Sequence, residues 1–196
     1  MTFENDGYVH VKKMISKDIC DIVRRYTLYD RYNNFTVHEG FPGTHCQYAD
    51  NLSESLLMFL KPEIEKYTQM KIIPTYSYFR VYGPGDYLFE HIDLKSCEIS
   101  ATVTFAFDFK EKSDDYRWPL YVYNTNNEKS YLNMDVGDAV IYKGCEVKHG
   151  RDYLRAGKGS YQIQYFFHYV DANGPYADEF KYDKRVAIGT KKRKYS

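Results

Sequence analysis

A histidine and an aspartate two residues apart form the most chemically informative pattern in the sequence. His91 and Asp93 end the segment 87–93, Tyr-Leu-Phe-Glu-His-Ile-Asp, whose residue types favour an extended strand. Side chains two residues apart on a strand point to the same face of a sheet, so both groups can bind one metal ion.

A third ligand has to come from another part of the chain, and His149 is the candidate. It follows the apolar run 139–142, which indicates a buried strand. Two histidines and one carboxylate form the facial triad of non-haem Fe(II) sites, which leaves three positions for a co-substrate and dioxygen. We therefore predict a metal site formed by His91, Asp93 and His149.

Some of these residues also fit a zinc site or a role in structure alone. Cys97 and Cys145 lie near the predicted ligands and thiolates bind zinc, but the sequence has no short Cys–Cys or Cys–His spacing. Considered one at a time, His91 and Asp93 fit a hydrogen-bonded surface pair, and His149 fits a histidine at a strand end. Their order along the chain and their flanking strands favour the metal site.

Composition limits the classes of function. A chain of 196 residues fits one domain with a full core, and 27 basic and 27 acidic residues give no net charge. No overall field therefore recruits nucleic acid or an anionic membrane. The four cysteines form no dense framework, and no signal peptide or apolar run of transmembrane length is evident. We expect a cytoplasmic location.

Two helices are predicted in the first third of the chain. Ser16 has the side chain of a helix N-cap, and apolar residues after it recur at helical spacing. A second helix is predicted from Ser53 toward Tyr67, with Pro62 bending or restarting it.

Residues 33–46 join these helices and predict a long loop, because they contain Gly and Pro. His38 and His45 are candidates for substrate contacts in this loop, although exposure to solvent is the favoured interpretation.

From residue 72 onward, short alternating segments separated by turns predict strands without βαβ alternation. This order favours an α+β fold, a double-stranded β-helix or jelly roll with the N-terminal helices packed against one sheet. We assign residues 1–71 to an N-terminal strand, predicted at residues 8–12 by their alternating pattern, and the supporting helices, 72–186 to the jelly-roll core, and 187–196 to a basic tail. The tail is predicted to be solvated, and an acidic partner or an address signal are the alternatives.

Further motifs surround the three candidate ligands in a consistent order. Arg80-Val81-Tyr82-Gly83-Pro84-Gly85 precedes His91, Trp118-Pro119-Leu120 follows Asp93, and Gly137-Asp138 leads into the strand before His149, 58 residues beyond His91. The aromatic segment 165–167 comes after His149.

With these motifs, residues 72–170 resemble the Fe(II)- and 2-oxoglutarate-dependent dioxygenases of the prolyl-4-hydroxylase type. The resemblance implies Fe(II) and 2-oxoglutarate as cofactors, ascorbate as a reductant, and dioxygen as a co-substrate. It also implies hydroxylation of a C–H bond, in a peptidyl proline or in an amino-acid-like small molecule.

One residue departs from the family pattern. The family places an Arg or Lys for the distal carboxylate of 2-oxoglutarate nine to eleven residues after the distal histidine, and Ser160 stands there. Arg151 is the favoured substitute, because it follows His149 by two residues and shares its face. Lys158 has the family's spacing but lies in a predicted turn. Tyr82 matches a co-substrate-binding tyrosine of the family, and Gln162 is predicted to face inward.

The missing cation also supports an alternative, a non-catalytic jelly-roll module of cupin-like or lectin-like type that binds a metal or another ligand. A zinc hydrolase is less favoured, because the sequence has no HExxH helix and no obvious carboxylate base.

Overall fold

Two antiparallel β-sheets form the centre of the protein in a computed structural model, which describes residues 2–34, 37–38 and 41–190. The major sheet has the strand order β1-β9-β6-β11-β4-β3-β2, and the minor sheet has the order β5-β10-β7-β8. The strands are β1 Tyr8–Val11, β2 Val37–His38, β3 Phe41–Tyr48, β4 Ile72–Tyr82, β5 Leu88–His91, β6 Ile99–Asp108, β7 Leu120–Tyr123, β8 Lys129–Leu132, β9 Ala139–Lys143, β10 His149–Arg151 and β11 Tyr161–Asp171.

The predicted α+β jelly roll is confirmed. The helices are α1 Phe3–Asp6, α2 Lys17–Asn33, α3 Asn51–Thr68 and α4 Ala177–Phe180. Apolar residues of α2 and α3 pack on one face of the major sheet, together with strand residues such as Phe79, Val103 and Phe167. The opposite face of that sheet packs against the minor sheet through a second cluster that includes Val122 and Val140. No helix among the described residues is long and apolar enough to cross a membrane.

Both main helices begin at capping side chains. Ser16 accepts a hydrogen bond from the Ile19 amide, as predicted, and Asp50 caps α3, which begins at Asn51, two residues before the predicted start at Ser53. Pro62 does not restart α3, since one helix runs from Asn51 to Thr68. Met58, which lies one helical turn before Pro62, has a half-exposed side chain.

The prediction of a long loop at residues 33–46 is wrong in part, because β2 and β3 extend the major sheet there. His45 belongs to β3 and is fully buried, with its Nε2 3.1 Å from Asp30 Oδ2. It therefore lies in the packing between α2 and the sheet rather than in a substrate loop. The side chain of His38 lies outside the described residues.

The segment 1–71 contributes β1 and β3 to the same sheet as the segment that follows it. Near the C-terminus, the Gly189 amide donates to Glu54 Oε2 at 3.0 Å, so the start of the basic tail packs against α3. The lysine- and arginine-rich end of that tail lies outside the described residues.

Candidate metal centre

The three predicted ligands converge at one end of the minor sheet. His91 on β5 and His149 on β10 are paired across the strands, and their ring centroids are 4.4 Å apart. Asp93 Oδ1 lies 3.4 Å from His91 Nε2 and 3.5 Å from His149 Nε2. A bulge between the two strands, where Arg151 pairs with Leu88, shifts the register directly beside this site.

The histidine tautomers fit a metal site. His91 Nδ1 lies 2.9 Å from the Phe89 carbonyl oxygen, and His149 Nδ1 lies 2.9 Å from the Val147 carbonyl oxygen. A carbonyl only accepts, so both Nδ1 atoms carry a proton, and the Nε2 atom of each ring is the one that faces Asp93. The two Nε2 atoms and the Asp93 carboxylate face one point, and two imidazoles with one carboxylate are ligands of Fe(II).

Asp93 lies just beyond the end of β5 and is held by other segments. Its amide donates to the Gly144 carbonyl at 2.8 Å, and its Oδ2 accepts from Ser100 Oγ at 2.8 Å. Burial opposes ionisation of Asp93, but hydrogen bonding to His149 and His91 holds its pKa well below the usual range. The carboxylate is therefore the charged form that a metal needs.

A cavity of about 390 Å³ opens beside the three ligands. Arg80 lies in its wall and is 6% exposed, with its guanidinium 5.1 Å from the Tyr82 ring and its Nη1 donating to the Tyr82 hydroxyl at 3.3 Å. Asp93 is the one acidic side chain among the described residues that line the cavity. These are Tyr76, Tyr78, Arg80, Tyr82, Leu88, Phe89, His91, Ile92, Asp93, Leu94, Cys97, Tyr142, His149, Phe166 and His168.

Arg151, the predicted carboxylate-binding residue, is buried behind the cavity wall. Its guanidinium stacks on the Trp118 ring at 4.9 Å, and Trp118 packs edge-on against Tyr82 at 5.0 Å. Arg151 donates to the Trp118 carbonyl and contacts Met134 Sδ. Burial lowers the pKa of Arg151 to about 10. In the part of the chain that the structure describes, no carboxylate forms an ion pair with it.

The other predicted co-substrate residues are spread over different environments. Tyr82, which the resemblance associates with the co-substrate, lines the cavity. Gln162 is buried and donates to Gln164 Oε1 at 2.9 Å, outside the cavity lining. Lys158 is exposed in the turn before β11, and Ser160 folds back to donate to the Gly157 carbonyl at 2.7 Å.

Three polar residues at this site were not predicted from the sequence. Arg80 shares its strand face with Tyr76, Tyr78 and Tyr82, so the two-residue alternation around Tyr82 could have identified it. Ser100 and His168 lie on β6 and β11, and only the pairing of those strands brings them to Asp93.

Cys97 borders the site as a protonated thiol. Its Sγ lies 3.1 Å from the Tyr76 hydroxyl, and burial raises its pKa to about 12. Cys145 Sγ donates to the Leu94 carbonyl at 3.3 Å. Potential ligand atoms of Asp93, Cys97 and His168 also lie within 4.8 Å of one another, so a second set of donors shares Asp93 with the triad.

Searches with the sequence match no protein-family model and no curated protein. Comparison of the structure finds many solved structures of similar fold. A prolyl-4-hydroxylase of Pseudomonas putida has a TM-score of 0.63 at 14% identity, over 85% of this chain and 94% of that one. HygX of Streptomyces hygroscopicus, solved with nickel and 2-oxoglutarate, has a TM-score of 0.63 at 14% identity, over 87% and 85%.

SnoK, an alpha-ketoglutarate-dependent carbocyclase of nogalamycin biosynthesis, has a TM-score of 0.68 at 12% identity, over 87% of this chain and 82% of that one. The fold is thus shared by a prolyl-4-hydroxylase and a carbocyclase, whose reactions differ. The chain therefore has the jelly-roll fold of the Fe(II)- and 2-oxoglutarate-dependent oxygenases, as the resemblance in its motifs predicted.

Proposed function

We propose that the protein is an Fe(II)- and 2-oxoglutarate-dependent dioxygenase that hydroxylates a C–H bond. The observation that carries this proposal is the convergence of two imidazole Nε2 atoms and the Asp93 carboxylate at the mouth of a cavity that contains an arginine. His91 Nε2, Asp93 Oδ1 and His149 Nε2 would hold the iron. With 2-oxoglutarate and dioxygen, bound iron supplies the oxidative chemistry that yields succinate, CO2 and a hydroxylated product.

Residues of the chain would hold the metal ligands in the required orientation and shield the site from water. The backbone carbonyls of Phe89 and Val147 keep the protons of both histidines on Nδ1, which leaves Nε2 available to the metal. Tyr142 is fully buried against the His149 ring, at a centroid distance of 4.5 Å, and excludes water from the inner side of the site.

We assign the distal carboxylate of 2-oxoglutarate to the surroundings of Tyr82. Arg80 reaches the Tyr82 hydroxyl from the cavity side, and Arg151 lies behind Tyr82 through the Trp118 ring. A guanidinium binds a carboxylate through two parallel hydrogen bonds, and a buried one binds it more strongly than an exposed one. Together the two arginines supply the positive charge that Ser160 does not.

The substrate would enter past the exposed apolar side chains Phe89, Ile92 and Leu94 at the cavity mouth. Tyr76 and Phe166 provide aromatic walls further in. We propose two substrate classes for this entrance, a peptidyl proline and an amino-acid-like small molecule. Proline-containing peptides and free amino acids are therefore tested separately for stimulation of 2-oxoglutarate turnover.

The direct test incubates the protein with Fe(II), ascorbate and 2-oxoglutarate in air and quantifies succinate. We expect succinate to form in the absence of substrate, and to be lost in a His149→Ala variant that retains its fold. A protein that binds Fe(II) but forms no succinate would instead support the non-catalytic jelly-roll module.

A further inference from the structure

Three neighbouring strands of the major sheet place a row of polar side chains beneath Asp93. Ser100 on β6 pairs with Tyr142 on β9 and with His168 on β11. Ser100 and Tyr142 are almost fully buried, and His168 is 7% exposed. None of the three belongs to the predicted ligand set, and their positions across the sheet bring them to one point.

Asp93 needs support from this row, because it is the ligand that does not lie on a strand. β5 ends at His91, and beyond it the backbone of Asp93 is held to the Gly144 carbonyl. That bond fixes the backbone but leaves the rotation of the carboxylate open. Ser100 Oγ lies 2.8 Å from Asp93 Oδ2 and can fix it, and the buried Tyr142 side chain also hydrogen-bonds Asp93.

The direction of the hydrogen bonds follows from the available protons. Ser100 has one hydroxyl proton, and the charged carboxylate at 2.8 Å is a stronger acceptor than the Cys97 carbonyl at 3.2 Å. His168 Nδ1 lies 2.9 Å from Ser100 Oγ and must then donate to it. A chain of hydrogen bonds runs from His168 through Ser100 to Asp93 Oδ2.

We propose that Ser100 and His168 are positioning residues that turn the Asp93 carboxylate so that Oδ1 faces both histidine Nε2 atoms. This inference rests on the proposed metal site. It assigns to the pair a contribution to metal affinity and to ligand geometry, not a contact with the metal or the substrate.

Gly144 packs directly against the hydrogen bond between Ser100 and Asp93. A Cβ atom at Gly144 would lie 2.9 Å from both Asp93 Oδ2 and Ser100 Oγ, and 2.0 Å from the Cys97 carbonyl oxygen. Glycine at 144 therefore lets the carboxylate and the hydroxyl meet, and the pair has little room for another arrangement.

The test measures anaerobic Co(II) binding, with the visible d–d spectrum of bound Co(II) as a report on its coordination. We expect Ser100→Ala and His168→Leu to weaken Co(II) binding about 10- to 100-fold and to change the spectrum. Ser100→Thr keeps the hydroxyl, and His168→Asn places an amide donor near the position of Nδ1, so both should restore binding. Thermal unfolding of each variant shows that it is folded.

The matched control is Thr102→Val. Thr102 lies two residues from Ser100 on β6, is equally buried, and accepts a hydrogen bond from Gln164 rather than bonding Asp93. It should bind Co(II) like the wild type. Unchanged affinity and spectrum in Ser100→Ala, or equal losses in Thr102→Val, would overturn the proposal and leave the triad intact.

Metal stoichiometry separates the remaining outcomes. Binding of a second Co(II) that is lost on replacement of Cys97 or His168 would make His168 a ligand and contradict its positioning role. A wild-type protein that binds no Co(II) would overturn the proposed function together with this inference.

Discussion

Arg80 and Tyr82 lie two residues apart on β4, and the Arg80 guanidinium donates to the Tyr82 hydroxyl at 3.3 Å inside the cavity. The Arg80 guanidinium is therefore a buried cation beside Tyr82, the residue that the family resemblance associates with 2-oxoglutarate. We propose that Arg80, on the strand before His91, provides positive charge for the co-substrate in addition to the buried Arg151 after His149.

Replacing Arg80 by Gln is expected to raise the KM for 2-oxoglutarate. Loss of a charge-assisted bond costs about 1.5–3 kcal/mol, which corresponds to roughly 10- to 150-fold. The measurement is succinate formation as a function of 2-oxoglutarate concentration. Lys158→Gln is the matched control, because Lys158 is exposed and outside the cavity lining, and its KM should not change.

Arg151→Gln should raise the same KM and also lower stability. The Arg151 side chain is fully buried, and it bonds the Trp118 carbonyl. Its removal leaves that carbonyl without this donor, at a cost of about 1–3 kcal/mol. Thermal unfolding and 2-oxoglutarate kinetics measure the two effects separately. A variant with reduced stability and an unchanged KM would assign Arg151 to structure alone.

Gly144→Ala is expected to abolish metal binding and to destabilise the fold, since the new Cβ would overlap the Cys97 carbonyl oxygen. Co(II) titration and unfolding measure the two losses. Gly83→Ala is the control for a glycine replacement near the site, because its Cβ would meet no atom closer than 3.9 Å. Tight Co(II) binding by Gly144→Ala would show that Asp93 does not need the observed packing.

Asp138 gives a prediction about pH and stability. Burial would raise its pKa, but hydrogen bonds from Lys12 and from the backbone of Lys13 and Asp135 lower the pKa overall. A carboxyl whose pKa is lower in the folded state stabilises the fold above its unfolded pKa of about 3.9 and loses that contribution as pH falls through the folded value.

Asp138→Asn should therefore cost about 2 kcal/mol at pH 7, or roughly 4–8 °C in Tm. The difference in Tm from the wild type should shrink as the pH falls below about 4. Thermal unfolding over a pH series measures this. A difference that stays constant down to acid pH would show that the loss comes from packing and not from the charge.

The sequence was sufficient to predict that His91, Asp93 and His149 come together, because each follows or ends a recognisable strand and the order of motifs is distinctive. His91 and His149 could be assigned before their strands were paired. The contacts of Asp93 could not, since Ser100 and His168 are 68 residues apart and meet only through the register of β6 with β11. The register between β6 and β11 cannot be deduced from the sequence of either strand alone.

β3 was missed for a different reason. Phe41-Pro42-Gly43 predicts a loop when taken by itself, but Phe41 pairs with β2, and residues 45–48 of the same strand pair with β4. The same limit applies to His45, whose burial depends on Asp30 in α2. Tertiary contacts decided both outcomes.

Anaerobic addition of Fe(II) and then 2-oxoglutarate tests the metal-centre hypothesis, with iron stoichiometry and the visible Fe(II)–keto-acid charge-transfer band as readouts. We predict one Fe(II) per chain and a band that appears on addition of 2-oxoglutarate and is absent from His91→Ala and His149→Ala. Failure of the wild type to bind Fe(II), or a band that persists when both histidines are replaced, would contradict a metal centre formed by His91, Asp93 and His149.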